Sequence, residues 1–111
     1  MKSVIRPKAR DDIIRQFRWY LVEQNASATA FRFLDAVDES IGQLLRMPRM
    51  GTPKRLKNPA LKNLRAWPVR GFEDIRLFYT TEAKTLRVIR ILHAKRDIQR
   101  ILEDEKGEML H

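Results

Sequence analysis

Phe72-Glu73-Asp74-Ile75-Arg76-Leu77-Phe78-Tyr79 and Leu86-Arg87-Val88-Ile89-Arg90-Ile91-Leu92, followed by His93-Ala94-Lys95-Arg96-Asp97, decide the fold. Both runs mix β-branched and aromatic residues with polar ones, so they read as the two strands of a hairpin. If Thr80 pairs with Thr85 across a four-residue turn, Thr81-Glu82-Ala83-Lys84, then Leu77 faces Val88 and Arg76 faces Ile89. Alternation places Ile75, Leu77, Tyr79, Leu86 and Val88 on one face, which is apolar enough to take a helical layer. Arg76, Phe78, Arg87, Ile89 and Ile91 form the other face, half apolar and half cationic. An arginine in a strand must reach water or an acidic partner. This second face is therefore expected to be exposed and to meet something negatively charged.

Upstream, Lys2 to Arg6 reads as a short strand stopped by Pro7, which suits the first turn of a helix. Ala9, Ile13, Phe17, Tyr20, Leu21 and Gln24 recur at helical spacing, with Ile14 beside them. Asp11 and Asp12 fall near the helix start, where the helix dipole favours them. Asn25 is the expected stop and Ser27 the expected N-cap of a second helix. Ala30, Phe33, Leu34, Val37, Ile41, Leu44 and Leu45 make that helix's apolar stripe. The short link forces an antiparallel helix hairpin, and a sheet is the natural surface for its two stripes. Met47 to Pro53 is a Pro/Gly loop, and Lys54 to Lys62 a basic loop or short irregular helix. Asn63 to Val69 reads as a strand that Pro68 confines to an edge or bulge. Asp97 caps a last short helix through Ile98, Ile101 and Leu102, and the acidic tail from about residue 103 is expected to fray. The fold class expected is α+β: an N-terminal helix hairpin packed on a small twisted antiparallel β-sheet, with a short C-terminal helix. Residues 1–111 make a single domain on this reading.

With 111 residues, 43% of them hydrophobic, the chain can bury one modest core. It has no cysteine, which removes disulfides and thiolate metal sites and fits a reducing cytoplasm. The opening Met1-Lys2-Ser3-Val4-Ile5-Arg6-Pro7 lacks the apolar stretch of a signal peptide, and no run approaches a membrane span. Charge is uneven. Residues 1–45 carry 7 Lys/Arg against 6 Asp/Glu, residues 46–100 carry 15 against 4, and residues 101–111 carry 1 against 4, for a net +9. The middle block reads as an interaction surface for nucleic acid or an acidic protein.

Ala9-x-x-Asp12-Ile13, Tyr20, Asn25, Ala30, Phe33, Pro48-x-x-Gly51, Leu64-Arg65, Ile75-Arg76-Leu77-Phe78-Tyr79 and Ile89-x-Ile91-Leu92-His93-x-x-Arg96-Asp97 occur in one order. In that order and spacing the chain resembles the RelE/ParE superfamily of type II toxin–antitoxin toxins, from about Ile5 to Leu102. It is most similar to ParE and the plasmid-stabilisation proteins. The resemblance implies a toxin that inhibits DNA gyrase without catalysis and without cofactors. It also implies neutralisation by a ParD-like antitoxin that lays amphipathic helices on it. The alternative from the same fold is a RelE-like, ribosome-dependent mRNA endonuclease. Arg76 and Arg96 fall at two positions where RelE-like ribonucleases carry arginines, but Leu102 stands where they keep a catalytic tyrosine.

RNA cleavage needs a proton acceptor, a proton donor and cations for the phosphorane. For that alternative the candidate catalytic set is Arg76, His93 and Arg96. His93 has a competing structural reading, a hydrogen bond that fixes the strand-to-helix turn. For target or antitoxin binding the candidates are Arg65, Arg76, Phe78, Arg87, Arg96 and Trp19, although Trp19, like Trp67, reads first as core or rim packing. Arg65 has its own structural reading, an ion pair with Glu73 or Asp74. Asp12, Asp35, Asp38 and Glu39 read as solvent-face residues without metal-ligand spacing, so no metal is expected. His111 is expected to be disordered. Direct nucleic-acid binding is compatible with the charge but not required by the resemblance.

Overall fold

The computed structural model describes residues 1–105. The expectation for His111 lies outside them. The strands are β1 (Lys2–Ile5), β2 (Thr52–Pro53), β3 (Arg65–Val69), β4 (Phe72–Glu82) and β5 (Thr85–His93). The helices are α1 (Pro7–Arg18), α2 (Ser27–Arg46) and α3 (Ile98–Glu103). The sheet order is β1-β5-β4-β3-β2. Neighbours run antiparallel except β1, which joins β5 in parallel, so the sheet expected to be antiparallel is mixed. A parallel edge follows because the helix hairpin carries the chain across the sheet between β1 and the later strands.

The β4–β5 hairpin is tighter than expected. Glu82 pairs with Thr85, leaving only Ala83 and Lys84 in the turn, at φ 50° and 60°. Left-handed values at both turn positions mark the type I′ geometry, whose twist matches that of the strands. A bulge then interrupts the ladder. Tyr79 pairs with Val88 but Phe78 pairs with Arg90, so Ile89 is the extra residue. Leu77 therefore faces Ile91 and Arg76 faces Leu92, not Val88 and Ile89. Past the bulge the faces exchange. Ile91 joins the core under the helices, while Ile89 stays on the other side.

Both sheet faces are covered. Ala9, Phe33, Val37, Ile41 and Leu44 of the helices pack on Ile75, Leu77, Tyr79, Leu86, Val88 and Ile91. The aromatic rings of Tyr20, Phe33 and Phe72 meet pairwise at centroid distances of 5.8, 5.6 and 5.5 Å, fixing the start of β4 to the helix hairpin. On the opposite face Leu61, Leu64, Ala66, Phe78, Ile89, Leu92 and Leu102 form a second core. Residues 54–64 and α3 cover it. The face expected to be open and half cationic is thus largely closed, because its apolar half finds partners in the chain's own third layer.

Asp12 corrects a second expectation. It lies in the second turn of α1 and is buried, not on a solvent face. β1 ends at Ile5, so the edge of β5 beyond Val88 has no strand partner on that side. The Asp12 carboxylate takes that place. It accepts the Ile91 N–H at 3.0 Å and two bonds from Arg90, Nε at 2.7 Å and Nη2 at 2.9 Å. Arg90 Nη1 donates to Glu105 at 2.9 Å. The hydrogen bond to Asp12 raises the Arg90 pKa further, so this guanidinium stays charged. Glu105 is itself buried, and Glu103 accepts the N–H groups of Lys57 and Asn58 at 3.1 and 2.9 Å. The tail expected to fray from about residue 103 is therefore tied down as far as 105.

Tyr79 supplies a further anchor. Its hydroxyl donates to the Pro48 carbonyl at 2.7 Å and accepts the Gly51 N–H at 3.0 Å. A Cβ on residue 51 would lie 2.5 Å from that oxygen, so the position requires glycine. Burial pushes the Tyr79 pKa above the ordinary phenol value of 10.0.

Two outcomes follow from these anchors. Asp12→Ala leaves the mostly buried Arg90 with one carboxylate and the Ile91 N–H without its acceptor. Urea denaturation should show a loss of about 3–5 kcal/mol, and a loss below about 1 kcal/mol would show that Glu105 suffices. Tyr79→Phe should cost about 1–3 kcal/mol, because the Gly51 N–H and Pro48 carbonyl lose their partner. Above pH 10 the unfolded phenol has lost its proton and the folded one keeps it. Stability is therefore full below that pH and falls as pH rises through the folded value. In Tyr79→Phe this part of the alkaline decline should be absent.

Candidate partner-binding surfaces

The sequence candidates separate into buried and exposed groups. Phe78 is 1% exposed and belongs to the second core, so it cannot contact a partner directly. Arg65 does not pair with Glu73 or Asp74. Its guanidinium donates to the carbonyls of Arg49 at 3.0 Å and Gly51 at 2.7 Å, holding the loop before β2. Arg87 is half-buried on β5, between Val4 and Thr80. Arg76 and Arg96 are exposed.

Arg76 lines a depression with Lys54, Ala66, Ala94 and the Ile98 and Gln99 side of α3, and the buried Phe78 and Leu102 lie beneath it. Arg96 lines another, with Lys8, Arg90 and the Arg100 and Asp104 side of the same helix. The helix that covers the second core thus stands between the two arginines. His93 lines neither depression. Its Nδ1 accepts the Lys95 N–H at 3.1 Å, within the strand-to-helix turn. Leu102, on the inner side of α3, is fully buried. Asp97 caps that helix by accepting the Arg100 N–H at 3.3 Å.

Trp19 occupies a different surface. The chain leaves α-helical geometry at Trp19–Glu23, where a π-helical turn closes with Gln24 N–H to Trp19 carbonyl at 3.0 Å and Ala26 N–H to Tyr20 carbonyl at 2.9 Å. Asn25 follows at φ 47° and ends the helix. The wider turn breaks the 3.6-residue spacing, and such turns cluster at functional sites. Trp19 packs edge-on against Tyr20 at 5.3 Å, which fixes its ring while leaving it 46% exposed. Ile14, at 49%, and Val22, at 63%, line the same depression. Asp11, Arg15, Arg18 and Glu23 surround them. An apolar centre within a mixed-charge rim is the anatomy of a protein–protein contact.

Helical periodicity places Ile14 beside the core stripe and gives no reason to expect Val22 at the surface beside Trp19. Nothing in the residue pattern announces a π-turn. Among the described residues no group of acidic, histidine or cysteine side chains could hold a metal ion, and no helix is long and apolar enough to cross a membrane.

These features define a small α+β protein whose helix hairpin and third layer enclose a five-stranded mixed sheet. Residues 4–98 match the family described as ParE toxin of type II toxin-antitoxin system, parDE, and the chain belongs to that family. A chain of the chromosomal ParDE TA system from P. aeruginosa has the same fold, with a TM-score of 0.67 at 16% identity. The likeness covers 84% of this chain and 95% of that one. No curated protein matches the sequence.

The reassignment of the sheet face is testable. Phe78→Ala should lower stability by about 3–5 kcal/mol, as a core deletion does. Arg76→Ala should change it by no more than about 0.5 kcal/mol. Similar small losses for both in urea titrations would return Phe78 to the surface.

Proposed function

We propose that this chain is a toxin that inhibits DNA gyrase by binding it, without catalysis of its own, and that a ParD-like antitoxin neutralises it. The reading rests on membership of the ParE family together with one feature, the exposed Ile14–Trp19–Val22 centre on the outer side of α1 and the π-helical turn that follows it. An amphipathic antitoxin helix would lay its apolar side on that centre, with its charges meeting Arg15, Arg18, Asp11 and Glu23. Burial of the apolar centre would provide the driving force, and the net charge of +9 would speed the encounter with an acidic partner.

A binding mechanism is favoured over RNA cleavage by three observations. Arg76 and Arg96 lie in separate depressions, His93 already accepts a backbone hydrogen bond, and the position of a catalytic tyrosine is filled by buried Leu102. In-line phosphoryl chemistry needs its acid, base and cations on one phosphate. Arg76 is the exposed sheet arginine and the first candidate for contact with the target.

The deciding experiment is a plasmid supercoiling assay with gyrase and ATP, using the purified chain freed of antitoxin. The expected result is loss of supercoiling with accumulation of cleaved plasmid. Unaffected gyrase would overturn the reading and direct attention to mRNA on the ribosome. In the same assay Arg76→Glu should weaken inhibition far more than Arg32→Glu. Trp19→Glu should weaken antitoxin binding by at least about 2 kcal/mol, while leaving folding stability within about 0.5 kcal/mol. Unchanged antitoxin affinity would remove the α1 surface from the reading.

A further inference from the structure

A second groove lies at the far edge of the sheet, on the chain's basic middle block. Arg49, Lys54, Arg55, Lys62 and Arg65 line it, over a floor that includes Leu61 and Leu64. Among the described residues no carboxylate lines it. Among the described residues the ion pairs engage Lys8, Arg15 and Arg90, and none engages these five. Clustered like charges without counter-charges repel one another and oppose the compact state. An anionic ligand would relieve that cost.

An acid adjoins this loop, yet it is used otherwise. Glu103 turns its carboxylate oxygens to the N–H groups of Lys57 and Asn58 and to Gln99 Nε2. Asn58 donates to the carbonyls of Leu102, Glu103 and Glu105 at 2.8, 3.2 and 2.8 Å. Lys54 N–H donates to the Leu64 carbonyl at 2.8 Å, and Arg65 holds the carbonyls of Arg49 and Gly51. The backbone of the loop is thus fixed at several points while, among the described residues, Lys54, Arg55 and Lys62 enter no ion pair. Such a surface is pre-organised for an anion.

We propose that this groove binds the sugar–phosphate backbone of duplex DNA, independently of sequence. Two observations select that occupant. The edge strand β2 has only two residues, one of them Pro53, which lacks an N–H, so an acidic peptide has little edge to add a strand to. Among the described residues no aromatic side chain lines the groove, so it offers no platform for the unstacked bases of a single strand. What remains is a row of cations suited to phosphates. Lys54 also lines the depression that holds Arg76, so the cationic track runs on to the exposed sheet arginine. This assignment does not depend on gyrase being the target.

The test is fluorescence anisotropy of a labelled short DNA duplex of mixed sequence, with the full chain and without gyrase. Four charges are removed in one variant, Arg49→Gln/Lys54→Gln/Arg55→Gln/Lys62→Gln. A control removes four exposed cations elsewhere, Lys2→Gln/Arg10→Gln/Arg46→Gln/Lys95→Gln. Each neutralised phosphate contributes about −0.9 to the slope of log K against log salt, so the wild-type slope should be about −4. The groove variant should lose at least about tenfold in affinity and most of that slope, while the control stays within about threefold. Circular dichroism checks both folds. If the quadruple variant is unfolded, Arg55→Gln and Lys62→Gln alone should each reduce the slope by about one. Salt-insensitive binding, no binding, or equal losses in groove variant and control would overturn the proposal. Tighter binding of polyglutamate or of single-stranded DNA than of the duplex would overturn it too.

Discussion

The buried contact between Asp12 and Arg90 is the constraint on which the arrangement of layers depends. β1 is too short to pair with the whole of β5, and the Asp12 carboxylate completes the edge that β1 leaves. In doing so it ties α1 to β5. Arg90 carries the connection onward to Glu105, past the end of α3. One chain of charged hydrogen bonds therefore joins the helix hairpin, the sheet and the C-terminal segment. Buried charges tolerate this only when their hydrogen-bonding capacity is well used, and the bidentate geometry of Arg90 meets that demand on the Asp12 side.

The C-terminal segment has a second attachment. Asn58 and Glu103 hold the basic loop to the end of α3 through backbone groups. That choice closes the second sheet face and leaves the loop's lysines and arginines facing outward. The distribution of function follows. The sheet is mostly structural on both faces, and the surfaces proposed above for partners lie outside its two cores. These are the apolar centre on α1, the arginines flanking α3 and the cationic groove beside β2.

Much of the fold was legible in the residues, because local physics writes it there. The two helical stripes, Pro7 at a helix start, Asn25 at a stop, Asp97 as a cap and the apolar positions of β4 each follow from spacing or turn chemistry. The family marks followed the same order, and residues 4–98 match the ParE toxin family. Tyr79 was correctly read as core. Arg76 and Arg96 are accessible as their positions suggest, whereas Trp19, which reads first as core or rim packing, is exposed.

The sequence by itself determined the order of elements, the helix-facing side of the hairpin up to its bulge, and the concentration of positive charge in the middle of the chain. Tertiary structure alone decided three other matters. The bulge at Ile89 sent Ile91 to the helix side, because a single extra residue reverses a two-residue alternation without altering composition. Phe78 became core because residues 54–64 and α3 fold back over it, a long-range event that local spacing does not encode. Asp12 became a buried anchor because the partner strand ends early and Arg90 lies 78 positions away in the chain. Whether a carboxylate on a helix meets water or an arginine depends on what the rest of the chain brings to it, and only the folded chain specifies that.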